Sequence, residues 1–261
     1  MGAIGASSAA ILASGDQALR AVVRVGKGRG FVVEGSGDFA PERYVVTAAH
    51  CLPQMPGPDP GQEYVAYTYK DLLAPLGAEP SVWCECLFVD PIADIAVLGA
   101  PDYEVLSEQA GAYQELVAAA IPLAVAEPPS KAIEDNPSTL PPPPETVPEG
   151  HMRYQAPPIA PDIPEYRAFL LSLDNRWFPS TVCDSGKLWI SNAAEDIEGG
   201  MSGSPIVTEN GKAIGVACLS SGGDDLHHRE GGPNPCLMRN LPGWFLKMLA
   251  NKRKGTRRRA A

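Results

Sequence analysis

The chain lacks any long hydrophobic run. Within its 261 residues no stretch reaches the roughly 18 apolar residues that a membrane-spanning helix needs. The best apolar stretch, ELVAAAIPLAVAEPP, is interrupted by Pro122 and ends in prolines. The first residues, MGAIGASSAAILASG, place no basic residue before their weak apolar patch, and position six is Ala6 rather than serine or threonine. We therefore expect no membrane span, a secretory signal is disfavoured, and an N-myristoylation start is excluded.

Acidic residues are missing from the C-terminal end. From Phe245 onward there are seven basic residues and no acidic ones, although the whole chain has a formal charge of −10. The rest of the chain is therefore acidic, which argues against nucleic acid as the main partner and favours cationic substrates. The tail at 251–261 is expected to be a solvated chain end, and binding of phosphate or an anionic surface is the alternative.

Metal-ligand spacings and a disulfide framework are also absent. The six cysteines resemble no small disulfide-stabilised scaffold, and Cys84-x-Cys86 is too tight for a zinc knuckle. None of the four histidines has metal-site spacing relative to the cysteines. We therefore expect no metal, and we expect most cysteines to be buried as small apolar residues. Because firm evidence of export is lacking, a cytoplasmic location is favoured over secretion.

What the chain does contain is a series of short strand patterns. ALRAVVRV and FVVEG flank the glycine-punctuated turn GKGRG, and RYVVTAAHC, VWCECLFVD and DIAVLGA follow. The patterns return in YRAFLLSL, KLWISN, SPIVTEN and KAIGVACLSS, with a tight hairpin turn at Asn210-Gly211. Apolar residues at helical spacing in LPGWFLKMLANKRK predict one C-terminal helix. Short strands without alternating long helices predict an all-β barrel or sandwich.

A proline-rich stretch divides the chain. Between 127 and 166, with PPPP at 141–144, the backbone cannot donate regular ladder hydrogen bonds, so an extended, exposed insertion is expected. A PxxP-type protein contact is the alternative interpretation of this insertion. The sequence thus predicts a lead segment at 1–20, a first β unit at 21–126, the insertion at 127–166, a second β unit with the C-terminal helix at 167–250 and a basic tail at 251–261.

Three segments carry residues that together could form a catalytic triad. EGGMSGSP places Ser202 between glycines, and taken alone this is an ordinary loop composition. A serine becomes a nucleophile only when an imidazole takes its proton and a carboxylate orients that imidazole. His50 in TAAHC and Asp94 in DIAVL could supply these groups, whereas each taken alone is more readily interpreted as a core histidine or a turn former. The nearest rival carboxylate, Asp90, precedes Pro91 and lies outside the strand that follows Asp94.

The chain order His, Asp, Ser discriminates between families. Nucleophile-elbow hydrolases run Ser, Asp, His with Gly-x-Ser-x-Gly, whereas here Ser204 stands two residues after Ser202. Together TAAHC, DIAVL and GMSGSP resemble the three signature segments of trypsin-like, chymotrypsin-fold serine peptidases. The resemblance extends from about Ala21 to about Leu249, and the proline-rich insertion accounts for a long interval before the serine. It implies two six-stranded antiparallel β-barrels with the catalytic groups in the cleft between them.

The resemblance implies a role for each residue of the site. Ser202 attacks the scissile carbonyl, His50 is the general base and then the general acid, and Asp94 orients His50. The backbone N–H groups of Gly200 and Ser202 form the oxyanion hole, and a side chain at position 200 would disfavour the required conformation. This chemistry needs neither cofactor nor metal, and its substrate is a protein or peptide.

Departures from the digestive-enzyme pattern imply a likeness to bacterial Deg/HtrA-type and glutamyl-endopeptidase-type members. Met201 replaces the aspartate that pairs with a newly released N-terminal amine, so we expect a site that is competent without activation cleavage. No cysteine precedes Cys51, which is therefore expected to be a free thiol. Cys218 stands where the family commonly has a serine that supports the triad aspartate, and a thiol is a weaker donor.

Substrate preference is inferred from Asp196, six residues before Ser202. In trypsin-type enzymes this offset carries the acidic floor of the P1 pocket, which selects arginine or lysine, and a surface-loop aspartate is the alternative. The resemblance also places Leu219 and Ser220 at the pocket entrance through backbone contacts to the substrate. The rival hypothesis for the whole chain is a catalytically silent peptidase fold that acts as a protein-interaction module.

Overall fold

A computed structural model describes residues 18–37, 41–56, 67–129, 163, 165–218 and 229–255. In these ranges twelve strands form two six-stranded antiparallel sheets, and a helix lies at the C-terminal end. The predicted all-β fold of two six-stranded units with a C-terminal helix is confirmed. Most of the insertion predicted at 127–166 lies outside the described residues, so its boundaries stay predictions. None of the described helices is long and apolar enough to cross a membrane.

The first sheet is a closed barrel with the strand order β1-β2-β3-β6-β5-β4. Its strands are β1 (Val22–Val25), β2 (Gly28–Ser36), β3 (Pro41–Thr47), β4 (Tyr67–Pro75), β5 (Val82–Asp90) and β6 (Ile95–Gly99). Strand β4 pairs with both β5 and β1, which closes the barrel. Alternate residues of these strands fill its interior, among them Val25, Val32, Val45, Leu73 and Leu98.

The second sheet has the order β11-β10-β7-β8-β9-β12 and its own apolar core. Its strands are β7 (Glu165–Leu171), β8 (Trp177–Asp184), β9 (Leu188–Ala193), β10 (Pro205–Thr208), β11 (Ala213–Val216) and β12 (Gly231–Asn234). A bridge between Gly215 and Cys236 brings the two ends of this sheet together. The predicted hairpin turn at Asn210-Gly211 joins β10 to β11, and Gly211 has a φ of 68°.

A third apolar core lies between the two sheets. Successive residues of β2 face opposite ways, so Val32 points into the barrel while Phe31 and Val33 pack toward the second sheet. Phe245 of the C-terminal helix α3 (Gly243–Gly255) is fully buried in this same core, a burial that stabilises the fold by about 3 kcal/mol. This helix thereby contributes to the core that the first barrel and the second sheet share.

Two of the described helices were not predicted from the sequence. Helix α1 (Ser107–Ala119) packs on β5 and β3, and it buries Tyr113, whose hydroxyl lies 3.1 Å from the carbonyl oxygens of both Arg43 and Leu98. Arg43 Nη1 donates to the Val117 carbonyl at 2.8 Å, which caps the end of this helix. A short helix, α2 (Leu237–Asn240), precedes α3.

Candidate active site

His50 and Asp94 contact each other at one end of the first barrel. His50 lies in the 3₁₀ turn Ala49–Cys51 that follows β3, and Asp94 immediately precedes β6. Strands β3 and β6 pair, with Thr47 opposite Ala96, so the two segments emerge side by side. His50 Nδ1 lies 2.7 Å from Asp94 Oδ2, and the His50 backbone N–H donates to Asp94 Oδ1 at 2.9 Å. An ionised Asp94 fixes the proton on Nδ1 and leaves Nε2 free to accept another.

The turn before β6 brings Asp94 into position. Asp94 has a φ of 59°, a left-handed conformation that aspartate tolerates better than most residues. Asp90 Oδ1 accepts hydrogen bonds from the N–H groups of Ile92 and Ala93, both at 2.9 Å, which shapes the preceding turn. The rival carboxylate is thus occupied in the backbone turn that presents Asp94.

The ionisation of Asp94 depends on its partners. Burial tends to raise the pKa of Asp94, but hydrogen bonds from His50 and the Cys218 thiol outweigh this and hold that pKa below its usual range. Cys218 Sγ also donates to the Asp94 backbone carbonyl at 3.4 Å, so the thiol lies where the sequence predicted an Asp94 support. Asp94 is therefore ionised at neutral pH and can stabilise a protonated imidazole.

All six cysteines are free thiols, and five of them are buried, as the sequence predicted. Burial raises the pKa of Cys51 to about 11 and that of Cys218 well above its usual value. Both thiols therefore stay protonated at neutral pH. Among the described residues, no group of three or more histidines, cysteines, aspartates or glutamates is arranged to hold a metal ion.

Ser202 lies in the turn before β10, where the two sheets meet. It is only 6% exposed, and its carbonyl accepts hydrogen bonds from the Arg29 N–H at 2.8 Å and from Cys51 Sγ at 3.6 Å. Cys51 is the residue after His50, so the serine turn packs directly against the histidine segment. Within the part of the chain that the structure describes, no hydrogen bond joins Ser202 Oγ to the His50 ring.

Two glycines shape the turn around Ser202. Gly200 and Gly203 have φ values of 94° and 84°, in the left-handed region that favours glycine. A Cβ at Gly203 would lie 1.8 Å from the Arg29 carbonyl oxygen, a distance at which no side chain fits. As far as the described residues show, neither the Gly200 N–H nor the Ser202 N–H donates a hydrogen bond. These are the two groups that the resemblance assigns to an oxyanion hole.

Of the residues predicted to set activation and specificity, the structure describes Met201 and Asp196. Met201 is buried in the core of the second sheet beside Ile197. The carboxylate of Asp196 lies 3.7 Å from Arg229, measured from Oδ1 to Nε, so a cation of this chain already offsets its charge. Leu219 and Ser220 lie outside the described residues.

Sequence reasoning missed Arg29. It lies on β2, is 6% exposed and donates to four oxygen atoms at the end of β7 and in the turn between β7 and β8. An arginine between two glycines, Gly28 and Gly30, beside an apolar strand was the one available signal. It did not indicate that the side chain would be buried.

The fold and the site together define a two-sheet β-protein with a histidine–aspartate pair beside a glycine-flanked serine. No protein-family model and no curated protein matches this chain. Among solved structures it is similar to the inactive form of the Rv3671c protease, at 16% identity and a TM-score of 0.43, over 92% of this chain and 91% of that chain. The active form of the Rv3671c protease from M. tuberculosis matches at 17% identity and a TM-score of 0.45, over 91% and 83%. At such values these likenesses assign no role to any residue.

Proposed function

We propose that this protein is a serine endopeptidase that hydrolyses peptide bonds through His50, Asp94 and Ser202. The observation that carries the proposal is the 2.7 Å contact between His50 Nδ1 and Asp94 Oδ2, in a segment that packs against the Ser202 turn. This contact leaves His50 Nε2 as the base, on the segment that also contacts the serine backbone. The N–H groups of Gly200 and Ser202, which donate no hydrogen bond within the described residues, add the donors that acyl transfer needs.

The reaction follows from these groups. Ser202 Oγ attacks the scissile carbonyl carbon while His50 Nε2 takes the hydroxyl proton, and Asp94 stabilises the resulting imidazolium. The carbonyl oxygen becomes an oxyanion that accepts hydrogen bonds from Gly200 and Ser202. His50 then protonates the leaving amine, the C–N bond breaks and an acyl-enzyme remains. A water molecule, deprotonated by His50, attacks the ester, the acid product leaves and the proton returns to Ser202.

The hydrogen bond between Ser202 and His50 would form when substrate binds, because such bonds are often long in free enzymes. Burial of Met201 supports a site that needs no charged partner from a new N-terminus. This feature is the basis for relating the chain to Deg/HtrA-type and glutamyl-endopeptidase-type peptidases rather than to zymogen-activated enzymes. We expect the intact protein to be active without trimming.

The proposed P1 preference depends on Asp196. If this carboxylate lines the substrate pocket, a basic substrate side chain must compete with Arg229, which lies 3.7 Å away. A strong preference for arginine or lysine is therefore not expected while Arg229 is in place.

A second candidate function is a catalytically silent peptidase fold that binds other proteins. The observation that favours it is that, in the described part of the chain, Ser202 Oγ makes no hydrogen bond to His50. A fluorophosphonate probe, which reacts covalently with activated serines, separates the two functions. We expect labelling of the wild type and of Ser204→Ala, a control serine in the same turn, and no labelling of Ser202→Ala. A wild type that stays unlabelled would establish the silent fold instead.

A further inference from the structure

Arg29 is a buried cation whose partners are all neutral. Among the described residues it makes no ion pair, and its guanidinium donates instead to oxygen atoms at the end of β7 and in the β7–β8 turn. Nη1 donates to the carbonyls of Leu171 and Ser172 at 3.0 and 2.8 Å, and Nη2 donates to the Leu173 carbonyl and Asn175 Oδ1, both at 3.1 Å. A buried charge without a counter-ion is costly unless it is fully hydrogen-bonded, so these four bonds are a specific arrangement.

The backbone of the same residue holds the serine turn. The Arg29 N–H donates to the Ser202 carbonyl at 2.8 Å, and the Arg29 carbonyl accepts from Thr47 Oγ1 at 2.6 Å. Gly203 passes so close to this carbonyl that a Cβ there would lie 1.8 Å from its oxygen. Arg29 therefore contacts the serine turn through its main chain and the β7–β8 turn through its side chain.

The β7–β8 turn borders the proposed oxyanion hole. A Cβ at Gly200 would lie 3.3 Å from Leu173 Cδ2, so Leu173 lies directly against this glycine. The turn is closed by the Asn175 N–H, which donates to the Ser172 carbonyl at 3.0 Å, and Asn175 has a φ of 60°. The position of Leu173 thus depends on the turn that Arg29 holds.

We infer that Arg29 is a positioning residue that clamps the β7–β8 turn against Gly200 and thereby fixes the oxyanion-hole backbone beside Ser202. This inference rests on the proposed function, because it assigns the clamp to the same site. Because the Arg29 side chain is buried and its guanidinium is bonded to this turn, it acts on the site through Leu173 and Gly200. The planar guanidinium reaches four acceptors at once, which the single ammonium of lysine cannot do.

The test compares Arg29→Met and Arg29→Lys with wild type and with Arg24→Met. Arg24 is a matched control, because its hydrogen bonds go to Gly26, Ala78 and Glu79, all on the first-sheet side. Peptide hydrolysis, fluorophosphonate labelling rates and thermal melts are measured for each variant. In both Arg29 variants we expect kcat and the labelling rate to fall roughly tenfold or more, with KM changed less than about twofold. Arg24→Met should keep wild-type kcat.

Substitutions of Asn175, the side-chain acceptor of Arg29, test the same interaction in case loss of Arg29 prevents folding. Asn175→Gly keeps the left-handed turn but removes the Oδ1 acceptor, and we expect kcat to fall about threefold. Asn175→Asp keeps an acceptor for Arg29 and should retain wild-type kcat. In the Arg29→Met background, Asn175→Gly should have little further effect, because the two side chains form one interaction.

The outcomes separate this inference from the proposed function. If the wild type is neither labelled nor active, the proposed function fails. If the wild type is labelled and the folded Arg29 and Asn175→Gly variants keep wild-type kcat, the peptidase stands and the clamp is wrong. A rise in KM at unchanged kcat would also overturn the clamp, since it indicates a role in substrate binding instead.

Discussion

His50 and Asp94, in the first barrel, are held by side-chain hydrogen bonds, whereas Ser202, in the second sheet, is held by its backbone. Both Asp94 oxygens bind His50, at 2.7 and 2.9 Å, before any substrate arrives. The Ser202 carbonyl is fixed by Arg29 and Cys51 of the first barrel, while its hydroxyl makes no bond to His50 in the described structure. The comparison teaches that the proposed base, His50, is already held by Asp94, whereas the position of the proposed nucleophile, Ser202, depends on how the two sheets pack.

Disrupting the hydrogen bond between the His50 and Asp94 side chains should have the largest effect on activity. Asp94→Asn keeps the shape of the residue but presents an amide to His50 Nδ1, which favours the wrong ring tautomer. We expect kcat to fall by about 10⁴-fold with little change in fold. Steady-state kinetics on a peptide substrate measure this. Asp90→Asn is the matched control, because an amide oxygen can still accept the turn hydrogen bonds, and a comparable loss there would contradict the assignment.

Disrupting the backbone packing of the Ser202 turn against Arg29 should mainly lower the stability of the fold. Gly203→Ala places a Cβ against the Arg29 carbonyl at a position with a φ of 84°, and we expect a loss of about 4 kcal/mol in the free energy of unfolding. Urea denaturation measures it. Gly199→Ala is the control, since a Cβ there meets nothing within 4 Å. Equal stability of the two variants would show that the serine turn is not packed as described.

A third substitution tests whether Asp196 lies in the proposed pocket for the P1 side chain. Arg229→Gln removes the cation 3.7 Å from Asp196, and we expect kcat/KM for arginine or lysine at P1 to rise about tenfold relative to apolar P1 residues. Profiling with a peptide library measures the ratio. Adding Asp196→Asn should abolish the gain. An unchanged preference in Arg229→Gln would remove Asp196 from the pocket.

The smallest expected effect concerns the thiol of Cys51, which lies beside His50 in the chain and donates to the Ser202 carbonyl. With a pKa of about 11, Cys51 holds roughly one thiolate per thousand molecules at pH 8, so alkylation by iodoacetamide should be slow. Because only the thiolate reacts, the rate should rise about tenfold per pH unit up to that pKa. Intact-mass measurement follows the reaction, with Cys51→Ser as the control. Rapid alkylation at pH 7 would contradict the protonated, buried thiol.

Several strands were readable from the sequence because they contain β-branched residues. β2, with Val32 and Val33, and β6, with Ile95 and Val97, were both predicted. β12, with the sequence GGPN, has no strand propensity and exists because it pairs with β9, a contact that no local pattern encodes. Helix α1 was missed because its alanine-rich end was interpreted only as a membrane candidate broken by Pro122.

In the candidate site, too, local motifs could be predicted from the sequence and long-range contacts could not. His50, Asp94 and Ser202 were identified from short motifs in which neighbouring residues carry the signal. Arg29 was not, because its partners at Leu171 and Ser172 lie 142 and 143 residues away. Such a contact depends on how the two sheets pack, and that packing is a property of the whole chain.

The most direct measurement of the central claim is a crystal structure of the protein after reaction with a fluorophosphonate. We expect phosphorus bonded to Ser202 Oγ, with one phosphonyl oxygen about 3 Å from both the Gly200 and Ser202 nitrogens and His50 Nε2 within hydrogen-bond reach. An adduct on another residue, or a phosphonyl oxygen directed away from both N–H groups, would contradict the account.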